Sequence, residues 1–169
     1  NITNTNILNK ITNVVQTNYA VYQNTSRDYK FYNLGEGRYA VDTENGYDEI
    51  TGVENIFFQD KSFNLASDVK ATFDQVTGLN KDSGKMFRLY NAALNRFPDV
   101  AGLKYWIEKY SSGENDDRSV ALSFLVSSEF EESYGENISN SRYVEVLYQN
   151  VLGRDYDQAG YDYFWGICE

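Results

Sequence analysis

Arg96, Asp99 and Gly102 recur at the same spacing as Arg154, Asp157 and Gly160, 58 residues further along the chain. An arginine beside the start of a helix can hold a carboxylate or a phosphate, because the unpaired N–H groups and the helix dipole favour an anion there. The carboxylates Asp155, Asp157 and Asp162 raise calcium as a ligand, although their spacing lacks the Gly and terminal Glu of an EF-hand loop. Glu129, Glu131 and Glu132 fall on adjoining helix faces in "EFEES", and they read as solvated surface rather than an acid/base pair. The competing reading of both triads is structural. Asp99 and Asp157 can cap a second helix, while Arg96 and Arg154 suit the exposed carbonyls ending a first. Gly102 and Gly160 then let another backbone come close.

Other chemistry is excluded by composition. The 169 residues contain no His, which removes Ser-His-Asp and Cys-His catalysis and histidine metal sites. One cysteine, Cys168, can form neither a disulfide within the chain nor a structural zinc site. No P-loop, G-x-S-x-G or G-x-G-x-x-G occurs. A net charge of −10 argues against nucleic acid and anionic lipid. No apolar run approaches the roughly 20 residues needed to span a bilayer, so membrane insertion is not expected. No catalytic residue, cofactor or metal ligand is assigned, calcium being the one ion left open.

The elements that must position the triads follow from the repeat. Residues 89–105 align with 147–163 without a gap and share eight identities: Leu89/Leu147, Tyr90/Tyr148, Leu94/Leu152, Arg96/Arg154, Asp99/Asp157, Ala101/Ala159, Gly102/Gly160 and Tyr105/Tyr163. Each copy reads as a helix, a tight turn and a second helix. In the first copy Met86, Leu89, Tyr90, Ala93 and Leu94 form an apolar stripe, and Pro98 is expected to end that helix. Asp116 or Asp117, then Asn140, are expected to cap later helices, with Gly135 as a stop between them.

The region before the repeat reads differently. Residues 1–27 hold no Asp or Glu, and "ILNKITNVV" suits a strand or a short helix equally. "DYKFYNL" and "RYAVDT" flank "GEG", a hairpin turn in which Gly35 or Gly37 supplies positive φ. Asn45-Gly46 marks another turn, and "EITGVENIFF" and "SFNL" around "QDK" read as a second hairpin. Residues 66–80 suit either a strand, given their β-branched residues, or a short helix capped by Ser67, carrying Val69, Phe73 and Val76 and stopped by Gly78. The expected class is α+β. A small antiparallel β-hairpin region covers 1–65, a connector 66–84, and a mainly helical repeat module 85–169.

The segments "FRLYNAALNRFPDVAGLKYWI", "SFLVSSEF" and "YVEVLYQNVLGRDYDQAGYDYF" resemble domain-of-unknown-function family 4214, over about residues 85 to 169. The second copy departs from the family pattern, with Tyr156 in place of the Pro and Phe164-Trp165 shifting the Trp by one. The resemblance implies a module appended to secreted or surface bacterial proteins, often beside calcium-binding repeats. Residues 47–65 are similar to the element that commonly joins the two. It also implies a distant likeness to phycobilisome linker domains, through "YVEVLYQNVLGRDYDQA". The family brings no catalytic residues. Since "SSGENDDRSVALSFLVSSEF" follows the first copy and nothing follows Glu169, the resemblance further implies a module cut short.

The function expected on these grounds is non-catalytic interaction or assembly within a larger exported or cell-surface bacterial protein. Its partner would be protein or glycan, neighbouring domains of the same polypeptide included. Tyr90, Tyr105, Trp106, Tyr148, Tyr163 and Trp165 read first as core, and part of that stripe is the candidate interaction face. Two alternatives stand. A phycobilisome-linker-like scaffold is opposed by the acidic charge, because such linkers tend to be basic. An accessory domain of a secreted enzyme would have its catalytic part outside this chain.

Overall fold

The computed structural model describes residues 18–168, with side chains as far as Tyr163, and contacts divide the chain after Val76 into two units. The segment "ILNKITNVV" lies outside the described residues.

In the first unit, β2 (Phe31–Gly35) and β3 (Arg38–Thr43) form the hairpin expected around "GEG". Gly35, Glu36 and Gly37 all take positive φ, so the turn needs more left-handed backbone than one glycine supplies. The Asn45-Gly46 turn closes a further hairpin onto β4 (Gly46–Glu49), completing an antiparallel sheet in the order β2-β3-β4. The "QDK" hairpin is present as β5 (Asn55–Phe57) and β6 (Ser62–Asn64). Its sheet gains a strand that the sequence reading lacked, β1 (Tyr19–Val21), parallel to β5. Parallel pairing joins segments far apart in sequence and leaves no turn signal between them. The core gathers Phe31, Val41, Ile50, Ile56, Phe58 and Phe63, with the Phe31 and Phe63 rings 5.2 Å apart.

A corner of this unit is tied by Asp60, whose carboxylate accepts from the Ser26 N–H at 2.6 Å and hydroxyl at 2.8 Å. Burial raises that carboxyl's pKa, but the two hydrogen bonds and Lys61 outweigh it and leave it below the ordinary value. The cap of the next helix is Asn64 rather than Ser67, its Oδ1 accepting from the Ala66 and Ser67 N–H groups at 3.0 Å. A π turn (Leu65–Lys70) leads into α1 (Ala71–Asp74), which ends well before Gly78. Val69 and Thr72 are its buried positions, and Phe73 stacks on Tyr39.

The second unit is helical: α2 (Asp82–Leu94), α3 (Val100–Ser111), α4 (Asp117–Leu125), α5 (Ser128–Tyr134), α6 (Asn140–Leu147) and α7 (Gln158–Cys168). Helix α6 continues through a π turn, Tyr148–Leu152. Together α2 and this α6 segment form the pair on which the rest is laid, with α3, α4 and α5 packed against α2 and α7 against α6. Met86, Tyr90, Ala93, Leu94, Leu103, Val120, Phe124, Phe130, Val144 and Val146 make the core. Asp116 caps α4 and Gly135 stops α5 as expected, while Ser139 takes the capping role expected of Asn140. Pro98 does not end α2: the helix stops three residues earlier, where Asn95 turns left-handed. Among the described residues no helix is long and apolar enough to cross a membrane.

Candidate functional site

Each copy of the repeat folds into the same corner, atom for atom in its polar contacts. The first helix ends on a left-handed residue, Asn95 (φ 47°) or Gly153 (φ 63°). Its N–H donates back to the carbonyl of Asn91 or Gln149 at 3.0 Å, closing the helix end. The Arg that follows donates through Nη1 to the carbonyl of the next residue, Phe97 at 3.2 Å or Asp155 at 3.0 Å. The same nitrogen meets the capping carboxylate, Asp99 at 3.5 Å or Asp157 at 3.1 Å. That carboxylate accepts the N–H of Gly102 at 2.7 Å or Gly160 at 2.9 Å, capping the second helix as the sequence predicts. At Asp157 the Gly160 N–H, seconded by Arg154, holds the carboxyl pKa below the ordinary aspartate value.

The corner has a fourth member, the Tyr of the repeated "LY". The Arg96 guanidinium lies 4.9 Å over the Tyr90 ring, and that of Arg154 5.1 Å over Tyr148. Each Tyr also explains its glycine. A Cβ on Gly102 would stand 2.5 Å from the Tyr90 hydroxyl and 2.8 Å from the Asp99 carboxylate, and one on Gly160 would collide with the Tyr148 hydroxyl. The close approach expected of a backbone is made instead by a phenol. Burial, with Asp99 nearby, pushes the Tyr90 hydroxyl above its ordinary pKa and keeps it protonated.

The interaction face read from the aromatics therefore comes apart. Tyr90 and Tyr148 are buried at the centre of their corners, because each ring carries an Arg on its face and packs its hydroxyl on a Gly. Tyr105 and Tyr163 are exposed. Trp106 is half-buried, with its ring 5.4 Å from Phe124, and Trp165 lies outside the described side chains.

What covers the two corners differs. Helices α4 and α5 pack on α2, and Glu129 of α5 takes Arg96 in a two-pronged pair: Nε to Oε1 at 2.5 Å, Nη2 to Oε2 at 2.9 Å. Glu129 is thus not the solvated carboxylate that "EFEES" suggested. Burial works against the Arg96 charge, and Glu129 more than compensates, so its pKa is raised. The anion-holding chemistry expected of Arg96 is realised with a carboxylate of the protein as the anion. Its side chain is 16% exposed, against 53% for Arg154. Among the described residues no acidic side chain reaches Arg154 from another helix. Ala93 and Leu94 are 3% exposed, whereas their counterparts Val151 and Leu152 are 50% and 54% exposed.

The corners are joined by Asn150, which is buried. Its Nδ2 donates to the Ala92 carbonyl at 2.9 Å and to the Tyr134 hydroxyl at 2.8 Å, while Asn91 Nδ2 donates to the Asn150 carbonyl at 3.0 Å. The carboxylates considered for calcium are separately engaged, Asp155 by Gln149 and Asp162 by Gln158. Among the described residues no three such ligands converge.

The first unit carries a second feature, an open cleft of about 870 Å³ lined among others by Tyr19, Tyr22, Tyr29, Tyr47, Asn24 and Asp48. Burial first, then Asp48, pushes the Tyr22 hydroxyl above its ordinary pKa. The sequence reading missed this cleft, because its tyrosines come from separate turns and strands. The family described as "Domain of unknown function (DUF4214)" matches residues 71–133 and again 121–167. No curated protein and no solved structure matches the chain.

Proposed function

Since the chain belongs to the DUF4214 family, which matches it over more than half its length and twice, we propose that it is a non-catalytic interaction and assembly module of an exported or cell-surface bacterial protein. The observation that supports this reading is the unequal cover of two equivalent corners. Val151, Leu152 and Arg154 stand exposed where Ala93 and Leu94 are buried and Arg96 is held by Glu129 of α5. Apolar side chains grouped round a cation that still has donors to offer are the makings of a contact surface. The corner residues themselves are occupied in holding helix ends. The test is capture from bacterial envelope extracts by the intact chain and by its Arg154→Gln and Leu152→Asp variants. A species retained by the first and lost by both variants supports the proposal. A chain that stays monomeric and retains nothing counts against it.

Glycan binding is a second reading, favoured by the cleft of the first unit. Tyrosine rings can stack on the C–H faces of sugars while Asn and Asp side chains hydrogen-bond the hydroxyls, and the volume is of ligand-site size. Binding to immobilised bacterial polysaccharide that Tyr47→Ala abolishes would support it. Equal retention of the variant would sink it.

A further inference from the structure

We propose that the open second corner is the seat of an acidic helix of the α5 kind, whose first turn carries a carboxylate that grips Arg154 as Glu129 grips Arg96. The inference rests on the interaction reading above and names the occupant. The molecule contains its own template. The two corners share the left-handed helix stop, the Arg on Tyr, the Arg–Asp pair and the Gly cap, made by the same atoms in each. A surface that keeps this geometry presents the same donors in the same places.

At the first corner Nη1 of Arg96 is spent within the corner, on the Phe97 carbonyl and Asp99, and it is Nε and Nη2 that Glu129 takes. At the second corner Nη1 of Arg154 is spent in the same way, on the Asp155 carbonyl and Asp157. The Nε and Nη2 edge of Arg154 therefore faces the position that a carboxylate would fill, and a planar guanidinium favours a two-pronged oxygen acceptor. Beside it, Val151 and Leu152 offer an exposed apolar surface at the positions where Ala93 and Leu94 are buried in the first copy. Charge and shape both specify the occupant. It is a short helix with an apolar face, entered through a Ser cap such as Ser127, with Glu in its first turn.

The experiment keeps the full chain and appends, after Glu169 and a flexible Gly/Ser linker, a second copy of residues 111–135. The linker holds the added helices near the corner at millimolar effective concentration. The expected result is a rise in Tm of about 4 °C or more, with slowed amide exchange in the appended segment. Arg154→Gln, or Gln in place of the appended counterpart of Glu129, should abolish the rise. Arg154→Gln without the appendage supplies the baseline Tm from which the variant's rise is measured. An unchanged Tm on appending the segment would overturn the proposal, and so would a rise that survives Arg154→Gln. If the appended helices fail while envelope capture still depends on Arg154, the interaction reading stands and the acidic helix falls.

Discussion

The two corners are nearly the same object in different surroundings. Residues 89–105 and 147–163 reproduce the same stop, cap, cation–π stack and tyrosine-on-glycine contact. One ends α2 as an α-helix capped by Asn95, the other ends α6 through a π turn capped by Gly153. Their local bonds agree, yet one Arg is enclosed and the other is half in water. Corner geometry is therefore written locally and survives loss of its cover. What a corner contributes to stability is decided by the helices laid over it.

The sharpest way to break this comparison is to truncate equivalent leucines. Leu94→Ala should cost about 2–5 kcal/mol, as for a buried core leucine. Leu152→Ala should stay within about 0.5 kcal/mol, as for a surface change. Urea denaturation of each variant decides it, and equal costs would mean that the second corner is covered after all. Next come the glycines, where the corners should behave alike. Gly102→Ala and Gly160→Ala each drive a methyl into a tyrosine hydroxyl and should each lose about 1–3 kcal/mol. A neutral result at either would show that its Tyr can move.

Arg96→Gln should then cost about 1–3 kcal/mol, because Glu129 is left partly buried without its partner. Arg154→Gln should cost less than about 1 kcal/mol, its ion pair being exposed. Similar losses would erase the distinction on which the proposed seat rests. The smallest effect is in acid. Unfolded Asp157 binds its proton at a higher pH than folded Asp157, so its bonds help stability above the unfolded value of about 4. That help is lost as pH falls through the lower folded pKa. A carboxyl NMR titration of Asp157 should find its midpoint below 3.8, and a midpoint above that would refute the cap.

Much of this was legible because it is local. Asp99, Asp116 and Asp157 cap the helices they precede, Gly135 stops one, and "GEG" and "QDK" turn their hairpins. Each signal lies within a few residues of its consequence. Pro98 misled because it restricts its neighbour without saying where the helix has already stopped, and Asn95, a residue that tolerates left-handed backbone, stops it first. Tyr90 and Tyr148 fell on the apolar stripes and are buried, but their packing on Gly102 and Gly160, a turn and a helix away, was not legible. The Glu129–Arg96 pair spans 33 residues, and nothing in "EFEES" marks which of its three glutamates turns inward. The parallel β1–β5 pairing was invisible for the same reason of distance.

The bonds between Asn91, Ala92 and Asn150 have a further consequence for symmetry. Ala92 and Asn150 occupy the same place in the two copies, so the repeat touches itself at equivalent positions, as the halves of a two-fold dimer do. A contact of that kind uses up both of its faces at once. Stacked helical arrays grow by offering a fresh face with every added unit. Here the contact at Ala92 and Asn150 is spent between the two copies, and any further helix must come to the separate face where Val151, Leu152 and Arg154 are exposed.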